Sequence, residues 1–272
     1  MRRAIPFLLL VPLAAAAPAV ADERNYMLTG FDSIRIEGPF EVEVTTGGNA
    51  RAQASGDRRA LDMLGVRVSG RTLVVAPSQN NWDSYPGGVR TPPRLVVSVP
   101  DLRAATVNGG GRLSVSRMRG ALVRLALTGA GAIRVGEVDA ERVDATLFGT
   151  GAVTLAGRAR DARFQSVGAG AIDAGGLTVD ALSVNVQSDG DARFFARDTA
   201  TVNATGRGSV RIDGRPTCTV RGSAPVVCGE GTPAAARLAG APAALGGIDI
   251  QRSQMMTAAR WTKPWKWMVR RS

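Results

Sequence analysis

Between residues 137 and 198 the chain carries a series of carboxylates, Glu137, Asp139, Glu141, Asp144, Asp161, Asp173, Asp180, Asp191 and Asp198. Two or three such groups converging on one surface could hydrolyse a glycosidic bond, one giving a proton to the leaving oxygen and another acting as base or nucleophile. Asp173 and Asp191 are the best placed, in roughly neighbouring columns of adjacent repeats. The equivalent positions above and below them are Arg134, Thr154, Arg193 and Arg211, and arginine there reads as a solvated charge ladder. The 272 residues include no histidine, so a Ser-His-Asp or Cys-His nucleophile and a zinc centre with imidazole ligands are excluded. A polysaccharide-active enzyme using outward Asp and Glu is therefore the alternative, and a non-catalytic binding module the favoured reading. No cofactor or metal is expected.

Three further groups have chemistry-bearing spacing. "SDGD" at 188 to 191 puts Asp189 and Asp191 where a hard cation could sit, but nothing repeats them at the nine-residue spacing of calcium-binding rolls, and turn chemistry accounts for both. Cys218 and Cys228 are the only two cysteines, ten positions apart. A zinc site would need more ligands, so in an exported chain they read as a disulfide worth about 3 kcal/mol at best. The C-terminal segment interleaves Arg260, Trp261, Lys263, Trp265, Lys266, Trp267, Arg270 and Arg271, a mixture suited to an anionic membrane surface or another polyanion. Against this stands a solvated basic tail, since Pro264 interrupts any long amphipathic helix.

Charge and targeting set the compartment. "MRRAIPFLLLVPLAAAAPAVADE" has two arginines, a short apolar run and Ala19-Val20-Ala21 before Asp22, the pattern of a cleavable export signal over 1–21. The mature chain then begins at Asp22, in the periplasm or at the cell surface of a bacterium. Of the net charge of +11, the tail 233–272 supplies +6, from seven Lys or Arg against Asp249. Export argues against a nucleic-acid partner.

The elements that would position these groups follow from a repeat. "VNGGGRLSV", "LTGAGAIRV", "LFGTGAVTL", "SVGAGAIDA", "VQSDGDARF" and "ATGRGSVRI" place a second glycine at Gly111, Gly131, Gly151, Gly170, Gly190 and Gly208, at spacings of 20, 20, 19, 20 and 18. A Walker loop is absent, and the third glycine and helix of a dinucleotide loop are missing. On both sides apolar residues alternate with polar ones, as in Leu125, Leu127, Ile133 and Val135 around Gly129 to Gly131. Alternation means strands with one face inward, and a period of about 20 residues means one coil holding two strands. Stacked coils pair in parallel and enclose continuous apolar columns. The expected fold is all-β, a single-stranded parallel β-helix of about six coils over 101–232. The glycines read as corners, because Gly admits positive φ and brings no side chain into a crowded bend.

Before the coils, "FDSIRIEGPFEVEVTTG" reads as two strands and a turn, and "GDRRALDMLGVRVSGRTLVVAPS" as a short helix capped by Asp57 followed by a hairpin. A polar loop, "QNNWDSYPGGVRTPP", then leads to "RLVVSVP". The segment 22–100 is thus expected to be a capping block of hairpins and a short helix, with 233–272 a basic Trp-containing tail.

These features together resemble the auto-transporter adhesin head GIN domain family. Phe31-Asp32-Ser33-Ile34 with Gly38-Pro39-Phe40, then "LDMLGVRVSGRTLVV", "VVSVPDL" and the run of Gly-x-Gly coils carry the resemblance over about residues 28 to 230. It implies a secreted or periplasmic β-helical domain of bacterial envelopes, similar to adhesin heads, with no catalytic residues to carry over. The expected function is a non-catalytic exported module whose outward β-face contacts a glycan, a protein partner or another copy of itself.

Overall fold

A computed structural model describes residues 22–78 and 92–229. The expected signal peptide, most of the loop after Ser78 and the basic Trp-containing tail, with Arg260 to Arg271, lie outside the described residues. In chain order the elements are β1 (Asp22–Met27), β2 (Ser33–Glu37), β3 (Glu41–Thr46), β4 (Arg51–Gly56), α1 (Arg58–Asp62), β5 (Leu64–Ser69), β6 (Thr72–Pro77), β7 (Arg94–Val99) and β8 (Ala104–Asn108). Then come β9 (Arg112–Gly129), β10 (Ala132–Gly149), β11 (Ala152–Gly168), β12 (Ala171–Ser188), β13 (Ala192–Thr205), β14 (Val210–Gly214), β15 (Thr217–Gly222) and β16 (Val226–Cys228).

The fold is a parallel β-solenoid of about six turns. Each strand from β9 to β12 makes most of one coil and pairs in parallel with the next. β13 divides its partners between β14 and β15, and β16 closes on β14. Leu127 registers on Leu147, Leu147 on Ser166, and Ser166 on Val186. All four are buried. Alternation in sequence has thus become columns in space, where each apolar side chain meets its equivalents one rung away.

Each coil has three inward runs, where the sequence suggested two. In β9 these are Leu113 and Val115, then Met118, then Val123, Leu125 and Leu127. The middle run stacks Met118, Val138, Gly157 and Leu177. It is hidden in sequence because the register slips between Val135 and Val138 and between Thr154 and Ala156, breaking strict alternation.

The corners use their two glycines differently. Gly129 and Gly149 have φ of +113° and +117°, which a side chain disfavours. Gly151 instead needs space, since a Cβ there would lie 2.5 Å from the carbonyl oxygen of Gly131. Backbone geometry accounts for the repeated motif.

The N-terminal segment departs from a simple cap. β2 and β3 do not form a hairpin. β2 pairs in parallel with β6 and β8, while β3 pairs in parallel with β7 and β9, so the bend at Gly38 to Phe40 is another corner. The β2–β3 rung lies between the β6–β7 rung and the β8–β9 coil, out of chain order. Among the described residues the antiparallel pairs are β1–β4, β4–β7 and β5–β6, and they close this end with α1. The helix starts where expected, the Asp57 carboxylate accepting the Arg59 N–H at 2.8 Å. Its buried face is Ala60 and Leu61. Arg24 of β1 holds the other end, donating to the Leu61 carbonyl and the Asp62 carboxylate at 3.1 and 2.9 Å.

At the far end Cys218 and Cys228 form the expected disulfide, with Cα atoms 6.7 Å apart. Cys218 stacks on Ala200 and Cys228 on Ile212, so the bond joins β15 to β16 across the end of the apolar columns.

Candidate functional site

Burying one residue in two leaves the others as outward columns on three faces. The first face runs outside Leu113 and Val115, the second outside Met118, and the third outside Val123, Leu125 and Leu127.

On the second face the charges neutralise one another from rung to rung. Arg119 donates to Asp101 at 2.8 Å, Arg117 to Glu137 at 2.7 Å, and Arg158 to Asp139 at 2.9 Å. The hydrogen bond from Arg158, assisted by its charge, holds Asp139 below the usual carboxylate range. The last coils carry a similar cluster, with Asp213 accepting from both Arg193 and Arg211 at 2.8 Å. Burial raises Asp213, but these bonds outweigh it and the carboxyl stays below its ordinary value.

The turn acids also serve the fold. The carboxylate of Asp189 accepts the Arg207 N–H at 3.0 Å, and that of Asp191 accepts the Ser209 N–H at 3.0 Å and its hydroxyl at 2.6 Å. The Ser209 bonds hold Asp191 low. Among the described residues no group of three or more His, Cys, Asp or Glu could hold a metal ion.

The remaining candidate carboxylates disperse. Asp173 stacks between Thr154 and Arg193 as expected and accepts the Gly175 N–H at 3.3 Å. Asp161 and Asp180 pair with Arg160 and Arg197, each at 3.4 Å. Glu141 and Asp198 are exposed. Asp139, Asp191 and Asp213 are all shifted downward, the wrong direction for a proton donor at neutral pH.

The third face is different. Arg142 registers on Asp161, then Ala181 and Thr199; Asp144 registers on Arg163, then Ser183 and Thr201. Long side chains on two coils give way to short ones on the next two, leaving a depression of about 420 Å³. Among the described residues the side chains of Arg142, Arg163 and Asp144 have no hydrogen-bond or ion-pair partner. The next outward column along the strands reads Thr146, Gln165, Asn185 and Asn203, and beyond it stands Phe148, 43% exposed. Sequence alone gave Asp144 as a candidate but not the two arginines, because pairing is decided between residues about 20 positions apart.

The described residues thus form a parallel solenoid with solvated polar ladders and a disulfide-closed last coil. The chain belongs to the family described as "Putative auto-transporter adhesin, head GIN domain", whose model matches residues 30–216. No curated protein matches it. Among solved structures, a "putative adhesin" from Bacteroides fragilis aligns with a TM-score of 0.69 at 22% identity, over 77% of this chain and 95% of that one. A "putative lipid binding protein" from Parabacteroides distasonis aligns with a TM-score of 0.59 at 17% identity, over 76% and 95%. A "putative adhesin" from Parabacteroides merdae gives 0.58 at 15%, over 78% and 96%. Family and disulfide together indicate an exported or surface protein.

Proposed function

We propose that this protein is a non-catalytic adhesive module of the bacterial envelope, exported by its N-terminal signal, whose outward third face binds a glycan. The carrying observation is the difference between faces. On the second face and in the last coils arginines and carboxylates satisfy each other, whereas the third face combines charge without a partner among the described residues, a depression and amide and hydroxyl columns on rigid strands. Such a surface offers donors and acceptors already in position, which limits the entropy lost on binding. The adhesin-like family supports the reading, as does a disulfide, which persists in oxidising compartments. The downward shifts of Asp139, Asp191 and Asp213 support a role without turnover.

The test is a glycan array probed with the mature chain from Asp22, followed by incubation with each glycan bound. Retention without release of new reducing ends is the expected result. Turnover of a bound glycan would move the protein to the polysaccharide-active class. Binding of protein partners or of its own copies alone, with no glycan, would also overturn the proposal.

A further inference from the structure

We infer that the depression between Arg142 and Arg163 is a subsite for a uronate, so that the preferred glycan is an anionic polysaccharide carrying sugar carboxylates. This rests on the glycan-binding reading and narrows it. Charge is the first argument. On the second face and in the last coils, guanidiniums face carboxylates at 2.7 to 2.9 Å. On the third face Arg35, Arg124, Arg142, Arg163 and Arg221 have no side-chain partner among the described residues, against two similarly unengaged carboxylates, Glu37 and Asp144. Within the depression Arg142 and Arg163 stand with Asp144 and with Asp161, which Arg160 engages, so the unengaged surplus there is one positive charge.

Geometry is the second argument. Arg142 registers on Asp161 and Asp144 on Arg163, so the two guanidiniums rise from adjacent rungs, offset by two residues along the strand. Such diagonal neighbours lie about 7 to 8 Å apart at their bases, within reach of one ligand carboxylate from both sides. Planar guanidinium forks suit that group, and charge-assisted hydrogen bonds to it are about twice as strong as neutral ones. The floor suits the rest of a sugar ring. Ser183, Thr199 and Thr201 supply hydroxyls, Asp144 accepts from ring hydroxyls, and Ala181 leaves room for an apolar ring face. Phe148 lies four residues beyond Asp144 on the same outward face, about 13 Å along the strand. A chain crossing the columns from the depression would reach its ring.

The test measures the affinity of the mature chain from Asp22 for polygalacturonate at physiological salt, with dextran as a neutral glycan and poly-glutamate as a carboxylate polymer without sugar. The variants are R142A/R163A and, as a control removing the same charge from the second face, R117A/R119A. Thermal melts establish that both are folded. The expected result is preference for polygalacturonate over both other polymers, weakened about tenfold or more in R142A/R163A and by no more than about twofold in the control. Every chain retains the basic tail, so its contribution cancels in the comparison. Equal loss in both variants, or equal affinity for poly-glutamate, would reduce the site to general polyanion attraction and overturn the inference. If glycan is retained but R142A/R163A binds it normally, the subsite falls and the adhesive reading stands. If the mature chain retains no glycan, both fall.

Discussion

The two ends of the solenoid solve the same problem with different means. At the N-terminal end, β1, β4 and β5 turn antiparallel, α1 packs against them, and the columns finish on fully buried Leu73 and Val75. At the C-terminal end β15 and β16 are still parallel rungs, and Cys218, Val220, Ala224 and Cys228 are only half-buried. A parallel stack exposes its last hydrogen-bonding edge and its core together, and natural folds cover, shorten or distort such edges. One end uses local secondary structure and packing; the other uses a covalent bond across a short rung. Packing should therefore govern stability at the first end, and the redox state at the second.

The sharpest test truncates one core residue at each end. Leu73→Ala removes a fully buried side chain and should cost about 2 to 5 kcal/mol. Val220→Ala, in a half-buried column, should cost about 1 kcal/mol or less. Denaturant unfolding of both variants decides this, and equal losses would erase the distinction between the ends. Next in size is the disulfide. Cys218→Ser with Cys228→Ser should cost at most about 3 kcal/mol. Hydrogen exchange should then quicken in β15 and β16 and stay unchanged in β6 and β7; quickening at both ends would mean that the bond supports the whole stack. A smaller effect, about 1 kcal/mol, is expected for Asp57→Ala, which removes the α1 cap. Its signature is a small fall in melting temperature with the disulfide-closed end unaffected.

Acid should give the smallest effect near neutrality and touch both ends. Arg71, by hydrogen bond and charge, holds Asp32 low near the first end despite some burial. Asp191 and Asp213 are low near the other. A carboxyl with a depressed folded value stabilises the fold at pH above its unfolded value and loses that contribution as pH falls through the folded value. Stability should thus be flat around neutrality and decline below about pH 4. Asp213→Asn should reduce that decline, and a variant titrating like the parent would show that these pairs do not couple to folding.

Much of this architecture was legible because its cause is periodic. The 20-residue recurrence and the alternation around Gly129 to Gly131 predict coils, inward columns and corners, since burial and positive φ act within a few residues. The third inward run escaped because Gly157 interrupts its apolar column and the register slips beside it. The displaced β2–β3 rung escaped for another reason. Ile34 meets Ala105, a pairing between distant segments that leaves no local pattern. For the candidate site, Asp144 stood out as a carboxylate, while the arginines beside it gained meaning only once register showed which cations had partners. The basic residues from Arg260 to Arg271 are legible as composition alone.

The displaced rung also dictates an order of assembly. From β9 onward each coil settles on the one just made, so growth can proceed like a zip, with contacts about 20 residues apart. β2 cannot be enclosed between its neighbours until Ala104–Asn108 exists. A chain emerging amino end first must therefore keep roughly its first hundred residues waiting, with their apolar stretches open to helpers or to misassociation. The earliest-made part of the molecule is among the last to close, and whatever escorts the nascent chain must remain with it that long.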